Sequence, residues 1–328
     1  MNVDKGYVDA AIDPTLDLKK EIERLKREKG AVVMAHYYQR PEIQDIADYV
    51  GDSLALAQKA AETDARIIVM CGVHFMGETA KILCRDKKVI VPDMNAGCSL
   101  ADSCPADEFA KFIEELPGHT VISYVNTSAA VKALTDIVVT SGNALKIVES
   151  LPKDEKIIFG PDRNLGTYLS LIHISEPKTG REMVLWDGAC HVHERFSLEK
   201  IMELKREHPE AKVLVHPECP RPLRMMADYV GSTAVLLKAV TESDAKEFIV
   251  ATESGILHKM RKAAPEKTLI AAPGDDSTCS CNECGHMKLI TLEKLYLSLK
   301  YEAPEVEVAD EIADKAVRPI EAMLRLSK

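Results

Sequence analysis

No stretch of the 328-residue chain stays apolar for the roughly 20 residues that crossing a bilayer requires, and the opening MNVDKGYVDAAIDP lacks the charged-then-apolar order of an export signal. The expected location is the cytoplasm, with no membrane partner. Nor is there a basic stripe. The formal net charge is -10, and without clustered Lys and Arg a sequence-independent grip on nucleic-acid phosphates is excluded. Small anionic metabolites are not excluded, because a few helix N-termini and histidines can hold them locally on an acidic protein. Gly/Ser linkers, low-complexity segments and a dinucleotide-binding glycine fingerprint are all missing, so neighbouring units should pack through short connections. Disulfides are a poor expectation as well, since nine cysteines is an odd number for a cytoplasmic chain. Metal binding or reactive thiols explain them better.

What the chain does have is an ordinary globular composition, 46% hydrophobic and 29% charged, and one pattern repeated three times. Apolar runs at 32–38 (VVMAHYY), 121–126 (VISYVN) and 213–218 (VLVHPE) each end in polar residues. Seventeen positions after His36, Tyr124 and His216 stand Ser53, Ser141 and Thr233, each behind an Asp-x-Val segment at 48–50, 136–138 and 228–230. A helical pattern follows each hydroxyl, then further strands at 67–71, 157–160 and 248–252, and closing strands at 89–91, 183–186 and 269–272. One such match could be coincidence; three in the same register argue against it. A period of about 90 residues is too long for a solenoid. It predicts an α/β protein of three repeated α/β/α sandwich domains with short parallel sheets, arranged with pseudo-threefold symmetry around a central cluster site. The expected bounds are 16–98, completed by 285–328, then 99–190 and 191–284. Amphipathic helices at 16–29 and 307–327 should wrap the first unit.

Each unit closes on a loop bearing cysteine: NAGC at 95–98, DGAC at 187–190 and CSCNECG at 279–285. Loops at the carboxyl ends of parallel strands face the functional edge of a sheet, so three related loops can present one thiolate each to a common point. A [4Fe–4S] cube held by three cysteines keeps one iron open as a Lewis acid. Cys279, Cys281 and Cys284 taken alone also suit a zinc clip, completed by Cys219 or His286, or a redox dithiol. Cys71 and Cys84 sit on strand and helix patterns and read as buried apolar fill.

Ser53, Ser141 and Thr233 lie between a short strand and a helix, where N–H groups and the helix dipole attract carboxylate or phosphate; as plain N-caps they would contribute only about 1 kcal/mol each. His36 and His216 end strands at the same edge, able to donate to an anionic oxygen or to shuttle a proton. Glu218, read as exposed behind Pro217, raises the prospect of a fixed constellation with His216, and His193 and the phenols of Tyr38 and Tyr124 join the candidates. His74, His119, His173, His208 and His258 have no repeat-related place and read as surface or packing residues. No lysine occupies an equivalent strand end, which places a Schiff-base aldolase last among the readings.

The segments AHYYQ (35–39), GDS (51–53), AGCSLADSCP (96–105), SYVNTSAAVKA (123–133), TSGNA (140–144), CHVHER (190–195), HPEC (216–219) and CNECGHMKL (281–289) resemble the motifs of the quinolinate synthase family, over nearly the whole chain. The resemblance implies condensation of iminosuccinate with dihydroxyacetone phosphate to quinolinate, with the imine handed over by an aspartate-oxidising enzyme. It implies a [4Fe–4S] cluster on Cys98, Cys190 and Cys284, leaving Cys104, Cys279 and Cys281 as non-ligands. It implies substrate contacts at His36, Ser53, Tyr124, Val125, Asn126, Ser141, His216, Pro217, Glu218 and Thr233, and proton transfers assisted by Tyr38, Glu218 and His193. The competing class is a non-catalytic iron–sulfur or zinc sensor, in which the hydroxyls are caps. The last cysteine run reads C-x-C-x-x-C, without the even triple seen in some relatives, and no regulatory role is read from it.

Overall fold

The computed structural model describes residues 2–170, 183–275 and 283–327. Its strands form three four-stranded sheets. The first holds β1 (Ala31–His36), β2 (Tyr49–Gly51), β3 (Ile67–Cys71) and β4 (Lys88–Ile90). The second holds β5 (Thr120–Tyr124), β6 (Ile137–Val139), β7 (Ile157–Gly160) and β8 (Met183–Leu185), and the third β9 (Lys212–Val215), β10 (Tyr229–Val230), β11 (Glu247–Ala251) and β12 (Thr268–Ala271). Each runs in the same order, second, first, third, fourth strand, and every pairing is parallel. The α/β class and the three repeated units are therefore as the alternating pattern implies. β1 and β3 read AVVMAH and IIVMC because a parallel strand covered by helices on both faces has almost no place for a polar side chain.

The Asp-x-Val segments are the short second strands, and their aspartates act as register clamps. Asp48 Oδ2 accepts the Val33 N–H, Asp136 Oδ2 that of Val121 and Asp228 Oδ2 that of Val213, each at 2.8 Å. The main-chain N–H of each aspartate returns to the carbonyl of the same valine at 2.8–2.9 Å. This two-point contact fixes where the second strand meets the first, which is why the spacing to Ser53, Ser141 and Thr233 recurs. The first strands are shorter than their apolar runs. Gln39 N–H turns back to the His36 carbonyl at 3.0 Å and Cys219 N–H to that of His216 at 2.9 Å, so Tyr38 and Glu218 stand in turns beyond the strands.

Both faces of each sheet are covered. Helix Leu18–Lys29 packs on β1 and on helix Leu292–Tyr301 over the first unit, as its amphipathic pattern suggests, and ends at Gly30 in the left-handed region (φ 58). The C-terminal helix Asp310–Leu326 corrects the expectation that both termini wrap the first unit. It packs on β6 and helix Ala129–Lys132 of the second unit as well as helix His74–Leu83 of the first. Its apolar residues Ala313, Ala316, Ile320 and Met323 join a core cluster that runs through both units, each large side chain contributing about 1.5–3 kcal/mol of burial. The periodicity shows which face of that helix is buried; the neighbour it is buried against is a long-range choice.

Candidate active site

In sheets of this strand order, ligands settle at the carboxyl ends of the strands, where the connections diverge to opposite faces. All three sheets turn that end to one cavity of about 730 Å³, open mouth included. It is lined by the three cysteines Cys98, Cys190 and Cys284, by His36, His193 and His216, by Tyr38 and Tyr124, and by Glu218. Ser53, Ser141, Thr233, Val125 and Asn126 complete the expected set. Pro217 alone is left off the wall: it is buried, with its carbonyl accepting Arg224 Nη1 at 3.0 Å. Cys279, Cys281 and His173 lie outside the described residues.

A chain of polar contacts crosses all three units along this wall. Tyr38 Oη is 2.7 Å from Thr252 Oγ1, which is 3.0 Å from His193 Nε2. His193 Nδ1 stands 3.2 Å from Glu218 Oε2, and neither atom has a hydrogen-bond partner elsewhere among the described residues. Tyr124 donates its hydroxyl hydrogen to Glu218 Oε1 at 2.6 Å and is itself hydrogen-bonded to Ser141. Glu218, read as exposed from the sequence, is 3% exposed. Burial works against its ionisation, and the His193 and His216 imidazoles with the Tyr124 hydroxyl overcome that penalty, holding the carboxyl below its ordinary range. Burial next to this carboxylate pushes both phenols well above the usual tyrosine value, so they serve as neutral donors.

His36 and His216 are built alike. The Tyr38 N–H points at His36 Nδ1 (3.1 Å) and the Glu218 N–H at His216 Nδ1 (3.3 Å), so in both rings Nδ1 is the acceptor and Nε2 carries the hydrogen. Burial lowers both rings to about 3, which removes proton shuttling near neutral pH and leaves them as uncharged N–H donors. The hydroxyls at the helix starts also differ from a simple capping role. Asp52 and Ser232 are the caps, accepting from the Ala55 N–H (2.9 Å) and the Val235 N–H (3.4 Å), while Ser53 and Thr233 are the first helical residues. Ser141 lies in a turn before helix Ala144–Ser150.

The cysteines share one local design. Cys98 and Cys190 occupy the N-cap positions of single-turn helices, Ser99–Asp102 and His191–Glu194, and Cys284 precedes the short turn Met287–Leu289. In each case the main-chain N–H groups two and three residues on face the sulfur and favour its anion: Leu100 and Ala101, Val192 and His193, His286 and Met287. Burial outweighs them and drives the free thiols up, Cys98 to about 12. Three half-buried thiols that are protonated alone yet surrounded by donors to an anion fit the ligands of a cationic metal centre, which would displace their protons. Cys190 Sγ, His193 and Glu218 also offer ligand atoms within 4.8 Å of one another, close enough for a single ion; the three sulfurs together do not form such a set. Cys71, Cys84, Cys104 and Cys219 are buried away from this wall and unpaired, as Cys71 and Cys84 were expected to be.

Several residues of the site escape sequence reasoning. Thr252 links Tyr38 to His193, and Glu253 lines the cavity beside Cys284. Ser99 Oγ lies 2.5 Å from His191 Nδ1, and the His191 ring meets that of His286 edge-on at 6.1 Å. The signals were faint: Thr252 and Glu253 follow the third strand of their unit, and Ser99, His191 and His286 follow the three cysteines by one or two positions.

Comparison with known proteins places nearly the whole chain beside one family. The sequence profile described as "Quinolinate synthetase A protein" matches residues 20–325. The quinolinate synthase of Chloroherpeton thalassium is 55% identical over 313 residues, 95% of each chain. That of Trichodesmium erythraeum is 55% identical over 311 residues, 95% of this chain and 94% of the relative, and one from a Synechococcus strain is 53% identical over 322 residues, 97% and 99%. Among the described residues no helix is long and apolar enough to cross a membrane.

Proposed function

Since the chain belongs to the Quinolinate synthetase A protein family, an enzyme family of NAD biosynthesis, we propose that it condenses iminosuccinate with dihydroxyacetone phosphate, releasing phosphate and water to leave quinolinate. The observation that carries this reading is a single cavity into which each of three units delivers one half-buried cysteine, beside a polar chain that crosses all three. The unit bounds we infer, 16–98, 99–190 and 191–284, end on or next to those cysteines. The imine is the chemical product of an aspartate-oxidising enzyme, which makes such an enzyme its source.

Cys98, Cys190 and Cys284 would hold a [4Fe–4S] cluster; when bound it supplies an open iron that acts as a Lewis acid toward a departing hydroxyl. The chain's own groups account for the rest. The ten-residue helices that begin at Ser53 and Thr233 point their N-termini at the cavity, suited to the substrates' carboxylates and phosphate. Ser141 and Asn126 add neutral donors from the second unit. His36 and His216, uncharged and with Nε2–H available, bind oxygen anions without exchanging protons with them. Proton movement falls to the Tyr38–Thr252–His193–Glu218 chain, where a carboxylate sits at one end and a phenol at the other.

Anaerobic purification followed by iron and sulfide assay and by turnover of the two substrates tests this directly. The expected result is about four irons per chain, lost with activity in Cys190→Ala and kept in Cys71→Ala. One observation favours a second reading. Cys190, His193 and Glu218 are close enough to hold one ion, as in a zinc sensor. A colourless, zinc-loaded, inactive protein would support that reading and defeat the first.

A further inference from the structure

The three units can be superposed by strand register, and one position then separates them. Ala35 pairs with Cys71, Ser123 with Gly160 and Val215 with Ala251, so the residues two beyond the third strands, Val73, Asp162 and Glu253, are equivalent. In the third unit Glu253 is fully buried; its Oε1 accepts the main-chain N–H of Cys284 at 3.0 Å and its Oε2 that of Gly255 at 2.7 Å. Lys288 Nζ stands 2.8 Å from the same Oε1 and donates to the Tyr38 carbonyl at 2.5 Å. In the second unit Asp162 is also fully buried. It caps helix Arg163–Leu169 through the Leu165 N–H at 2.6 Å, its backbone bridges to Gly188 two residues before Cys190, and its Oδ2 has no hydrogen-bond partner among the described residues. The first unit has an apolar side chain there; the His74 N–H on the Ala96 carbonyl at 2.7 Å holds the loop before Cys98, as the Arg163 N–H on the Gly188 carbonyl at 2.9 Å does in the second unit.

A buried carboxyl is expensive unless it accepts hydrogen bonds, and a placement that occurs twice at one repeat position, each time behind the loop that carries that unit's own cysteine, marks a shared task. We propose that Asp162 and Glu253 are positioning residues that set the main-chain orientation of Cys190 and Cys284 for the metal cluster. This rests on the cluster reading above. Glu253 acts through the Cys284 backbone and Asp162 through the loop just before Cys190, and neither is a ligand, in the manner of partners that aim metal-binding side chains from behind. Glu253 also joins three parts of the fold, because its Oε2 and the Tyr38 backbone crowd the Gly255 position, where an added Cβ would lie 2.8 Å from each.

The test compares two kinds of variant in protein loaded anaerobically with iron and sulfide. Asp162→Asn and Glu253→Gln keep an acceptor oxygen in place without the charge, whereas Asp162→Glu and Glu253→Asp keep the charge and shift the oxygen by one methylene. Iron release to a chelator, followed through the visible absorbance of the cluster, is expected to speed up roughly tenfold or more in the length-changed pair and to stay near wild type in the amide pair. Circular dichroism of the iron-free forms reports that each variant folds. Retention unchanged in all four, or lost in the amides and kept in the length-changed pair, overturns the positioning role. A wild-type chain that takes up no iron overturns the cluster reading and this inference with it; a loaded wild type with indistinguishable variants overturns the inference alone.

Discussion

At the end of the first strand, the first and third units place a buried imidazole whose Nδ1 accepts the N–H two residues on, whereas the second places a phenol that reaches across to Glu218. The seat is the same in all three, since β1, β5 and β9 pair with their second strands in matching register. Each seat presents an uncharged donor to the cavity. What differs is the residue two positions later: Tyr38, Asn126 and Glu218. Repetition of the fold thus supplies three equivalent mounts, and the chemistry comes from what each unit hangs beside them. A single carboxylate collects the Tyr124 hydroxyl and faces His193 and His216, so the acidic end of this polar chain belongs to the third unit.

The largest effect should come from removing that charge. Glu218→Gln is expected to lower kcat by about 10²–10⁴-fold while the chain still folds, measured as quinolinate formed at saturating substrates. An undiminished kcat would mean the units are not distinguished by their charge. Acid provides the next test. In the folded protein His36 and His216 protonate only near 3, in the unfolded chain near 6.5, so between those values protons bind preferentially to the unfolded state. Stability is full above pH 6.5 and falls as the pH drops toward 3, by on the order of a few kcal/mol per ring. Urea unfolding at stepped pH should show that slope in wild type, flattened in His36→Asn and His216→Asn. A slope indifferent to the two imidazoles would remove the likeness of the first and third units.

Tyr124→Phe strands one oxygen of a buried carboxylate and should cost about 2 kcal/mol in urea unfolding at neutral pH, the range for a hydrogen bond to a charged group. The smallest effects belong to the clamps. Asp136→Ala and Asp228→Ala should each destabilise by roughly 1 kcal/mol, because their bonds to the first strand are alike and partly exposed to water, and Asp48→Ala by more, because Asp48 also pairs with buried Lys26 at 2.8 Å. A clamp cost at Asp136 far from that at Asp228 would show that the mounts are not equivalent.

Much of this was readable before any coordinates. Three strand-end residues and three hydroxyls at one spacing announced the repeat, and the cysteine loops announced where the units meet. Glu218 was misjudged as exposed because a polar residue after Pro217 carries no sign of the histidines and phenol that bury it. Thr252, Glu253 and Asp162 were missed because their partners lie on other units or far along the chain, as with Tyr38 and Thr252, 214 positions apart. The C-terminal helix showed its apolar face but not the seam it would fill.

Local order follows from the chain's own pattern. Apolar runs that must be covered on both faces become parallel strands, an Asp-x-Val segment can clamp only a nearby strand start, and cysteine before a helical turn meets the N–H groups just ahead of it. These are interactions within a few residues or one repeat, so composition and spacing suffice to specify them. Assembly of the units decided the rest: which donors face Glu218, how far burial shifts His36 and His216, and which carboxyls stand behind Cys190 and Cys284. Those properties depend on desolvation and on charges brought within a few ångströms by packing, and neither quantity exists until the three sheets have closed on a common cavity.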